Sequence, residues 1–369
     1  MICIFGGAFD PPHKEHIRIA KEIKEEFGFA NVVFLPSGNS PHKNLETPFD
    51  TRVEMLSAAI NGSFPIDLTE GTFAERAYSY KVLPMLKEEY GEISFLIGGD
   101  SLFALDRWRC PDEILKICPL IVVPRGDDDL AALRRSAASY IARWSGRILI
   151  SEKVRGESVS SSMIRAKREL ELDIPEVEVG VREIIEGHAL YRHYTSYVER
   201  VRSMLRETRW RHTCGVVLAG LKINERIGLP FEKVFLGCLL HDCMKHTDRI
   251  NTGVPEDVIG TKVLHAFNGA EEARLAFKIE DEEILDAIRY HTTARGNMTT
   301  LDKLVYTADM VEELTRDFEG VERLREIAYH DLDEGFRLCL ESCYRSLIER
   351  GIPIYHLTMD AYNAYCKKE

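Results

Sequence analysis

The sequence predicts two domains of different class: an α/β domain built on a parallel sheet over residues 1–190, and an all-α domain over residues 191–369. Three observations lead to this. The length of 369 residues exceeds what one typical hydrophobic core serves. The first half alternates short apolar runs with longer helical segments, which is typical of parallel sheets with crossover helices. The second half has helical spacing almost throughout.

In the first half, five short apolar runs are predicted to be strands: Ile2–Phe5, Val32–Leu35, Ile93–Ile97, Leu120–Val123 and Ile148–Ile150. They are continuously apolar, as expected where helices cover both faces of a sheet. Longer segments with helical spacing separate them: His16–Phe27, Thr51–Asn61, Tyr80–Glu89 and Leu130–Trp144. The order strand, helix, strand therefore repeats along this half.

In the second half, eight segments have apolar residues at helical spacing: Tyr197–Glu207, Cys214–Ile227, Phe231–Lys245, Ala266–Phe277, Glu282–His291, Asp302–Thr315, Gly320–Ala328 and Gly335–Glu349. Breakers such as Gly228-Leu229-Pro230 separate these segments. We place the boundary between the two domains near residues 187–196, where the sequence shows no flexible linker.

Composition and charge narrow the class of protein. Hydrophobic residues make up 45% and charged residues 29% of the chain, as in ordinary soluble globular proteins. The net charge is −12 and both halves are mildly acidic, so we expect no nucleic-acid partner. No signal peptide precedes the first strand, and no apolar run approaches the roughly 20 residues that span a bilayer, so we expect no membrane partner. Nine dispersed cysteines fit reduced thiols and predict a cytoplasmic protein. Composition leaves open a homo-oligomer.

A glycine-rich string, GGAFDPPHKEH, runs from Gly6 to His16 between the first strand and the first helix. Its two glycines let the backbone approach a phosphate closely, and its prolines suit the start of a helix. His13 and His16 share one face at the helix N-terminus, where the helix dipole favours negative charge. Two donors in this position suit stabilisation of a phosphoryl transition state.

This string resembles the pattern GGxFDPPHxGH of the HxGH-type nucleotidyltransferase superfamily. Four further strings match that superfamily: FLPSGNSPHK from Phe34, TRVEML from Thr51, FLIGGDSL from Phe95 and VSSSMIR from Val159. The resemblance covers roughly residues 1–190. Within the superfamily, the Pro-His-Lys loop and Trp108 point to the nicotinate mononucleotide adenylyltransferases, which act in NAD biosynthesis.

The resemblance implies a Rossmann-like fold and attack of the mononucleotide phosphate on the α-phosphate of ATP, with Mg²⁺ accompanying ATP and pyrophosphate leaving. His13 and His16 would be the catalytic residues. The implied ATP-binding residues are Gly6, Gly7, Phe9, Asp100, Ser161, Ser162 and Arg165. Nicotinate mononucleotide would be bound by His42, Lys43 and Trp108, whose ring would stack on the pyridine.

Two positions depart from the family pattern. Glu15 replaces the glycine between the two histidines, and its carboxylate would repel ATP phosphates if it pointed into the site. Lys81 and Val82 stand where the family usually has SYTxDT. Two alternatives therefore stay open: the domain adenylylates another phosphorylated acceptor such as phosphopantetheine, or it binds nucleotide without turnover and acts as a sensor for the second domain.

Histidines and aspartates of the second half form a set that suits a metal centre. They lie on or beside predicted helices with apolar neighbours: His212, His241, Asp242, His265, His291 and Asp309. Burying such groups is costly unless they hold something, and a helical bundle can bring them together. Four imidazoles and two carboxylates suit one or two divalent transition metals of the Fe, Mn, Co or Zn kind. A second His-Asp pair, His330-Asp331, is predicted to lie on a solvated helix face.

The order H…HD…D resembles the HD superfamily, and His265 and His291 match its bacterial hydrolases of symmetrical diadenosine tetraphosphate. This resemblance spans roughly residues 195–369. It implies that metal-activated water cleaves a phosphoanhydride of a dinucleoside polyphosphate, giving two ADP. Lys245 would neutralise the developing phosphate charge, and Arg316 is a further candidate for holding substrate. Nucleoside mono- or triphosphates stay open as alternative substrates. The sequence thus predicts a bifunctional enzyme, a nucleotidyltransferase joined to an HD-type phosphoanhydride hydrolase.

Overall fold

A computed structural model describes residues 1–38, 47–126, 128–157 and 159–367. The chain forms two compact units. The first consists of Met1–Arg165 with Asp173–Tyr191, and the second of Ala166–Leu172 with Arg192–Glu369. The segment Ala166–Leu172, which the sequence assigns to the first domain, therefore belongs by its contacts to the second unit. Division of the chain into domains of residues 1–190 and 191–369 stays a prediction.

The first unit contains a five-stranded parallel sheet with the order β2-β1-β3-β4-β5. Its strands are β1 Ile2–Gly7, β2 Asn31–Pro36, β3 Ile93–Gly98, β4 Leu120–Val123 and β5 Ile148–Ile150. Each predicted strand is present. The strand order is that of a doubly wound sheet, so the predicted α/β class is confirmed.

Eight helices begin in the first unit: α1 Lys14–Phe27, α2 Phe49–Ile60, α3 Ser79–Tyr90, α4 Gly99–Phe103, α5 Pro111–Ile117, α6 Leu130–Trp144, α7 Ser161–Glu169 and α8 Val179–Gly187. Two short 3₁₀ helices, Thr69–Thr72 and Leu105–Arg107, lie among them. The sequence did not predict α4, α5, α7 or α8. The shortest two, α4 and α5, have five and seven residues, which is too short for a periodic apolar pattern to stand out.

Apolar side chains pack on both faces of the sheet. Successive residues of a strand point to opposite faces, so Cys3 and Ile121 join one cluster while Ile4 and Val122 join the other. The first cluster includes buried residues of α1, α2 and α8, and the second includes buried residues of α3, α5 and α6. The continuous apolar character of the strands follows from this double cover.

The second unit is helical, as predicted. After α7 its helices are α9 Thr195–Met204, α10 Glu207–Asn224, α11 Phe231–Leu240, α12 Leu264–Ala276, α13 Glu282–Tyr290, α14 Thr300–Val311, α15 Val321–His330, α16 Leu332–Glu349 and α17 His356–Tyr365. A 3₁₀ helix spans Glu256–Val258. α14 packs against α10, α13 and α16. Of the described helices, none combines the length and apolar character that crossing a membrane requires.

Several predicted helix bounds in this unit were wrong. The helix predicted from Cys214 begins at Glu207, the one predicted to reach Glu207 ends at Met204, and α17 was not predicted. Two further helices end early. The helix predicted over Phe231–Lys245 ends at Leu240, so the His-Asp pair follows it in a turn. The helix predicted over Asp302–Thr315 ends at Val311. There Glu312 has extended backbone angles, and its carboxylate accepts hydrogen bonds from the next turn. Because these two helices end early, the polar side chains that follow them, His241 and Asp242 after one and Glu312 after the other, lie buried within the second unit.

Candidate active sites

The first candidate site lies at the carboxyl edge of the sheet, where β1 and β3 end side by side. β2 continues the sheet on one side of this pair and β4 on the other, so the strand order reverses here. Open α/β sheets bind ligands at such a switch point. Gly7 ends β1, and the exposed Asp100 lies just beyond β3 at the start of α4.

The two glycines of β1 allow close packing of aromatic rings beneath the site. A Cβ added to Gly6 would lie 3.0 Å from the ring of Phe95, and one added to Gly7 would lie 2.9 Å from the ring of Phe9. Phe9 itself is only 2% exposed, and its backbone has a φ of 50°. Its predicted contact with ATP would therefore come from its main chain.

Side chains from elsewhere in the unit fix the loop that follows β1. Three side chains donate hydrogen bonds to its carbonyl oxygens. Arg52 Nη1 donates to Ala8 at 2.8 Å, Arg165 Nη1 to Asp10 at 2.7 Å and Ser161 Oγ to Pro11 at 2.9 Å. Tyr191 also donates its hydroxyl to the Asp10 carboxylate, at 2.6 Å. Ser161 and Arg165, predicted to contact ATP, thus also build the loop. Ser162 is hydrogen-bonded through its hydroxyl to Ser160.

The two histidines of the string lie against one another at the start of α1. Their ring centroids are 3.7 Å apart, and the backbone N–H of His13 donates to Nδ1 of His16 at 3.1 Å. Neutral His16 consequently carries its proton on Nε2. Burial lowers the pKa of His13 to about 4, so this imidazole is neutral at pH 7. Its Nδ1 is buried and has no hydrogen-bond partner among the described residues.

The negative charge of Glu15 is balanced by hydrogen-bond donors within the structure. Its Oε1 accepts the backbone N–H of Glu157 at 2.7 Å and Nη2 of Arg18 at 2.5 Å, and its Oε2 accepts Nε of Arg18 at 2.8 Å. Burial opposes ionisation, but these hydrogen bonds outweigh it and lower the pKa of Glu15. The carboxylate is therefore ionised and paired.

The predicted pyridine site is only partly visible. His42 and Lys43 fall in the range 39–46, outside the described residues. Trp108 is half-buried, with its ring centroid 6.4 Å from that of Phe95 in an edge arrangement. Lys81, one of the departures from the family pattern, is exposed in the first turn of α3.

The second candidate site lies in the second unit, where the six predicted metal ligands come together. They are His212 on α10, His241 and Asp242 after α11, His265 on α12, His291 after α13 and Asp309 on α14. His212 Nε2 is 2.8 Å from Asp309 Oδ1, while His265 and His291 place Nε2 at 3.2 and 3.4 Å from Asp242 Oδ1. Two triads are compact enough to hold an ion, and both include His241: it joins His212 and Asp309 in one, and Asp242 and His291 in the other.

All four imidazoles have the same orientation. Nδ1 of His241, His265 and His291 lies 2.6, 3.0 and 2.8 Å from the carbonyl oxygen three residues earlier. Nδ1 of His212 lies 3.1 Å from a carboxylate oxygen of Glu312. Because these oxygens only accept, each Nδ1 donates a proton, and in the neutral imidazole Nε2 then presents a lone pair. The Nε2 of His265 accepts from the Lys245 ammonium, and His265 belongs to neither compact triad. Four lone pairs directed at one region form a donor set for a metal ion.

Buried polar atoms at the centre also fit a cation. Nε2 of His212 and His241 and Oδ1 of Asp242 are buried without a hydrogen-bond donor among the described residues. Burial lowers the pKa of His212, but hydrogen bonds to Asp309 and Glu312 outweigh it and raise that pKa. The short contact from Nε2 to Asp309 is therefore met either by a second proton on the imidazole or by a cation bound between the two groups. Burial lowers the pKa of His241 to about 3, which keeps it neutral as a ligand must be.

A buried carboxylate supports the histidine on α10. Glu312 is fully buried, and besides His212 it accepts the backbone N–H groups of Leu314 and Thr315. Gly215 lies one turn after His212, and a Cβ there would be 2.1 Å from Oε2 of Glu312. The missing side chain therefore makes room for the carboxylate. Such outer partners orient a ligand and raise its basicity.

Three cationic side chains surround the six residues. Arg209 Nη1 is 2.9 Å from Asp242 Oδ2, and Lys245 Nζ is 2.8 Å from His265 Nε2. Arg316 donates to both the carboxylate and the main-chain carbonyl of Asp309, at 2.6 and 2.7 Å. Each of these cations is thus paired with a residue of the cluster, and Arg209 and Arg316 balance its two carboxylates.

Comparisons with known proteins match the two regions separately. Residues 4–167 match the cytidylyltransferase-like family, and residues 209–314 match the HD domain. A Rubrobacter xylanophilus protein named probable nicotinate-nucleotide adenylyltransferase is 34% identical over 51% of this chain and 91% of its own length. The symmetrical bis(5′-nucleosyl)-tetraphosphatase of Halalkalibacterium halodurans is 35% identical over 45% of this chain and 93% of its own length. Over its first region the chain belongs to the family of the nicotinate-nucleotide adenylyltransferases, and over its second region to the family of the symmetrical tetraphosphatases.

The predicted fusion of a nicotinate mononucleotide adenylyltransferase-like region with a symmetrical tetraphosphatase-like HD region is thereby confirmed. A crystal structure from Clostridium acetobutylicum, described as a predicted HD superfamily hydrolase involved in NAD metabolism, is 30% identical. It covers 47% of this chain and 96% of its own chain, with a TM-score of 0.43.

Sequence reasoning missed several residues of both sites. In the adenylyltransferase-like region, Arg52 and Tyr191 hold the phosphate loop from positions distant in sequence. In the HD region, Arg209 lies one turn before His212 and Glu312 one turn after Asp309. For Arg209 that spacing was a visible signal, since residues three apart share a helix face. Glu312 lies beyond the end of α14, so the spacing gave no such signal there.

The second His-Asp pair has the surface role that was predicted. His330 and Asp331 are both exposed. Asp331 is the N-cap of α16 and accepts the backbone N–H of Glu334, while Nδ1 of His330 lies 2.6 Å from the carbonyl oxygen of Glu326. The same two residue types thus serve a helix end here and a buried cluster at His241-Asp242.

Proposed function

We propose that this chain is a bifunctional enzyme. Its first region transfers AMP from ATP to nicotinate mononucleotide, giving nicotinate adenine dinucleotide and pyrophosphate. Its second region hydrolyses diadenosine tetraphosphate to two ADP. Family membership of each region supports the two activities, and the convergence of four Nε2 lone pairs with two carboxylates carries the hydrolase assignment.

For the transferase, the chain would bind the ATP phosphates at the start of α1. Backbone N–H groups and the helix dipole favour anions there. His13 and His16 would donate hydrogen bonds to the phosphates as charge develops, and neutral His13 would gain proton affinity beside the triphosphate. Ser161, Ser162 and Arg165 would contact ATP from the opposite side while holding the loop. Asp100 would lie near the ribose, and Trp108 would cover the pyridine ring. The chain supplies position and charge here, and no covalent intermediate is needed.

For the hydrolase, the six converging residues would hold one or two divalent transition metals, with His241 common to the two compact triads. Ions of this kind, when bound, activate water and neutralise phosphate charge. Lys245, Arg209 and Arg316 would pair with oxygens of the polyphosphate and orient it. The fixed Nδ1–H donors would keep each imidazole in the ligand tautomer throughout.

The pairing of Glu15 favours an active transferase over a nucleotide sensor. The sensor alternative rested on a carboxylate that faces the phosphates, whereas Glu15 is engaged by Arg18 and by the Glu157 N–H. A cytoplasmic location and a homo-oligomer stay predictions.

The test uses the full-length chain. With ATP, nicotinate mononucleotide and Mg²⁺ we expect stoichiometric pyrophosphate and nicotinate adenine dinucleotide; with diadenosine tetraphosphate and Mn²⁺ or Fe²⁺ we expect two ADP per substrate. Phosphopantetheine and nucleoside mono- and triphosphates serve as comparison substrates. ATP binding without pyrophosphate release would contradict the transferase assignment. If a comparison substrate were turned over faster, that compound would be assigned as the acceptor or as the hydrolase substrate instead.

A further inference from the structure

Two side chains from the first turns of α1 grip a distant segment of the same unit. Glu15 Oε1 accepts the backbone N–H of Glu157, and Arg18 Nη2 donates to the carbonyl oxygen of Arg155 at 2.5 Å. These two hydrogen bonds engage one main-chain donor, the N–H of Glu157, and one main-chain acceptor, the carbonyl of Arg155, in the segment 155–157. Glu15 and Arg18 are also bound to each other, so they form one unit, which we call the α1 clamp.

The clamped segment is also fixed on its other side. The N–H of Gly156 donates to the carbonyl oxygen of Pro124 at 2.8 Å, and Arg155 Nη1 donates to that of Gly126 at 2.9 Å. The segment therefore bridges the start of α1 and the chain that leaves β4. Its position is set by α1 as much as by the sheet.

Four residues after Glu157 in the sequence, the chain begins α7, which carries two of the proposed ATP contacts. Ser161 and Arg165 return to the loop after β1 through the carbonyl oxygens of Pro11 and Asp10. His13 and His16 flank Glu15 on α1. The α1 clamp thus joins the two groups of residues that are proposed to meet the triphosphate from opposite sides.

The clamp requires a carboxylate. Every partner of Glu15 is a donor: two N–H groups of Arg18 and one backbone N–H. In a glutamine at this position, the side-chain NH₂ would face one of these donors in place of an accepting oxygen. A glycine would leave the Glu157 N–H without this acceptor. The pair of Glu15 with Arg18 carries no net charge, so the carboxylate adds little repulsion toward an anionic ligand. Arg18 also bonds Glu22 at 2.6 Å, but Glu22 is 41% exposed and does not touch the segment.

We propose that Glu15 is a positioning residue for adenylyl transfer: with Arg18 it sets the segment 155–157, and through it Ser161 and Arg165, at the distance from His13 and His16 that a triphosphate requires. The inference rests on the proposed transferase function. Glu15, at the place where the family has glycine, strengthens the site.

The test compares Glu15→Gly and Glu15→Gln with Glu22→Gln in the full-length chain. Because the segment loses an anchor on α1, we expect the KM for ATP to rise about tenfold in both Glu15 variants, which corresponds to about 1.4 kcal/mol. The kcat should stay within about twofold, since no group that touches the reacting atoms is removed. Glu22→Gln should match wild type, because it leaves the clamp in place.

Hydrogen exchange without ligand supplies a readout that does not depend on catalysis. Amides of residues 155–157 should exchange faster in the Glu15 variants than in wild type or Glu22→Gln, with exchange in β1 and β3 unchanged as the control for folding. Unchanged exchange with an unchanged or improved KM for ATP in Glu15→Gly would overturn the proposal. If wild type makes no pyrophosphate while the Glu15 variants exchange faster and bind ATP more weakly, the transferase assignment fails and the clamp stands.

Discussion

The two candidate sites are built in opposite ways. In the first, one contiguous string supplies both the main-chain groups and the two histidines of the centre, and distant side chains such as Arg52 and Arg165 hold that string in place. In the second, the ligand atoms are themselves side chains, scattered from His212 to Asp309, and main-chain carbonyls hold three of the four imidazoles in orientation. The comparison teaches that a site made from one contiguous string depends on the supports that shape the string, whereas a site made from scattered side chains depends on each ligand.

The largest expected effect is therefore the loss of a central ligand in the second site. Asp242→Asn removes the charge that faces His265 and His291, and we expect hydrolysis of diadenosine tetraphosphate to fall on the order of a thousandfold. ADP release measures the effect. Asp331→Asn is the matched control, since it changes the exposed His-Asp pair and keeps a residue suited to an N-cap. Equal hydrolysis by the two variants would contradict the assignment.

In the first site, His16→Ala should reduce adenylyl transfer by about a hundred- to a thousandfold, because it removes one donor from the proposed transition state. Pyrophosphate release is the measurement. Hydrolysis of diadenosine tetraphosphate by the same preparation is the internal control and should stay unchanged. If transfer continued at the wild-type rate, the histidine pair would have only a structural role, and the assignment of the catalytic centre in the first site would be wrong.

A smaller effect is expected from the supports of the second site. Glu312→Gln and Gly215→Ala both disturb the carboxylate beside His212 without changing a ligand, and we expect metal affinity to fall about 10- to 100-fold. Competition with a chelator measures the dissociation constant directly. Glu313→Gln is the control, because its carboxylate is 53% exposed and pairs with Lys222. Wild-type affinity in Glu312→Gln would show that the ligands alone define this site.

The smallest effect concerns the pH dependence of stability in the first unit. The pKa of His13 is about 4 when folded and near its ordinary 6.5 when unfolded, so below pH 6.5 protons bind the unfolded chain preferentially. The stability that neutral His13 provides is complete above pH 6.5 and is lost as the pH falls toward 4. Between pH 7 and 5 wild type should lose about 2 kcal/mol more than His13→Asn. Urea unfolding measures this difference by tryptophan fluorescence in a Trp210→Phe background, which leaves Trp108 and Trp144 of the first unit as reporters. Parallel losses in both proteins would contradict the prediction.

Sequence patterns predicted the parts of the molecule that are local. The five strands follow from continuous apolar runs, and the glycine-histidine string could be placed from its position after β1. The six proposed ligands could be named because each follows or lies on an apolar helix. Helices as short as α4 and α5 escaped prediction, since fewer than three turns show no clear period.

What the sequence could not predict depends on pairing between distant residues. The direction of the Glu15 carboxylate is decided by the N–H of Glu157, and the burial of Glu312 is allowed by the missing side chain of Gly215. Neither partner has a signature of its own. The early end of α14 has the same origin, because the Glu312 side chain bonds the turn that would otherwise continue the helix.

The most direct test of the account is the transition-metal content of the purified full-length chain, measured by elemental analysis for wild type and Asp242→Asn side by side. We predict one or two equivalents of a divalent transition metal per wild-type chain, as purified or after reconstitution with Fe²⁺, Mn²⁺, Co²⁺ or Zn²⁺, and a clear loss in the variant. Wild-type protein that holds none of these ions after reconstitution, or a variant that holds as much as wild type, would contradict the claim that the six converging side chains form a metal centre.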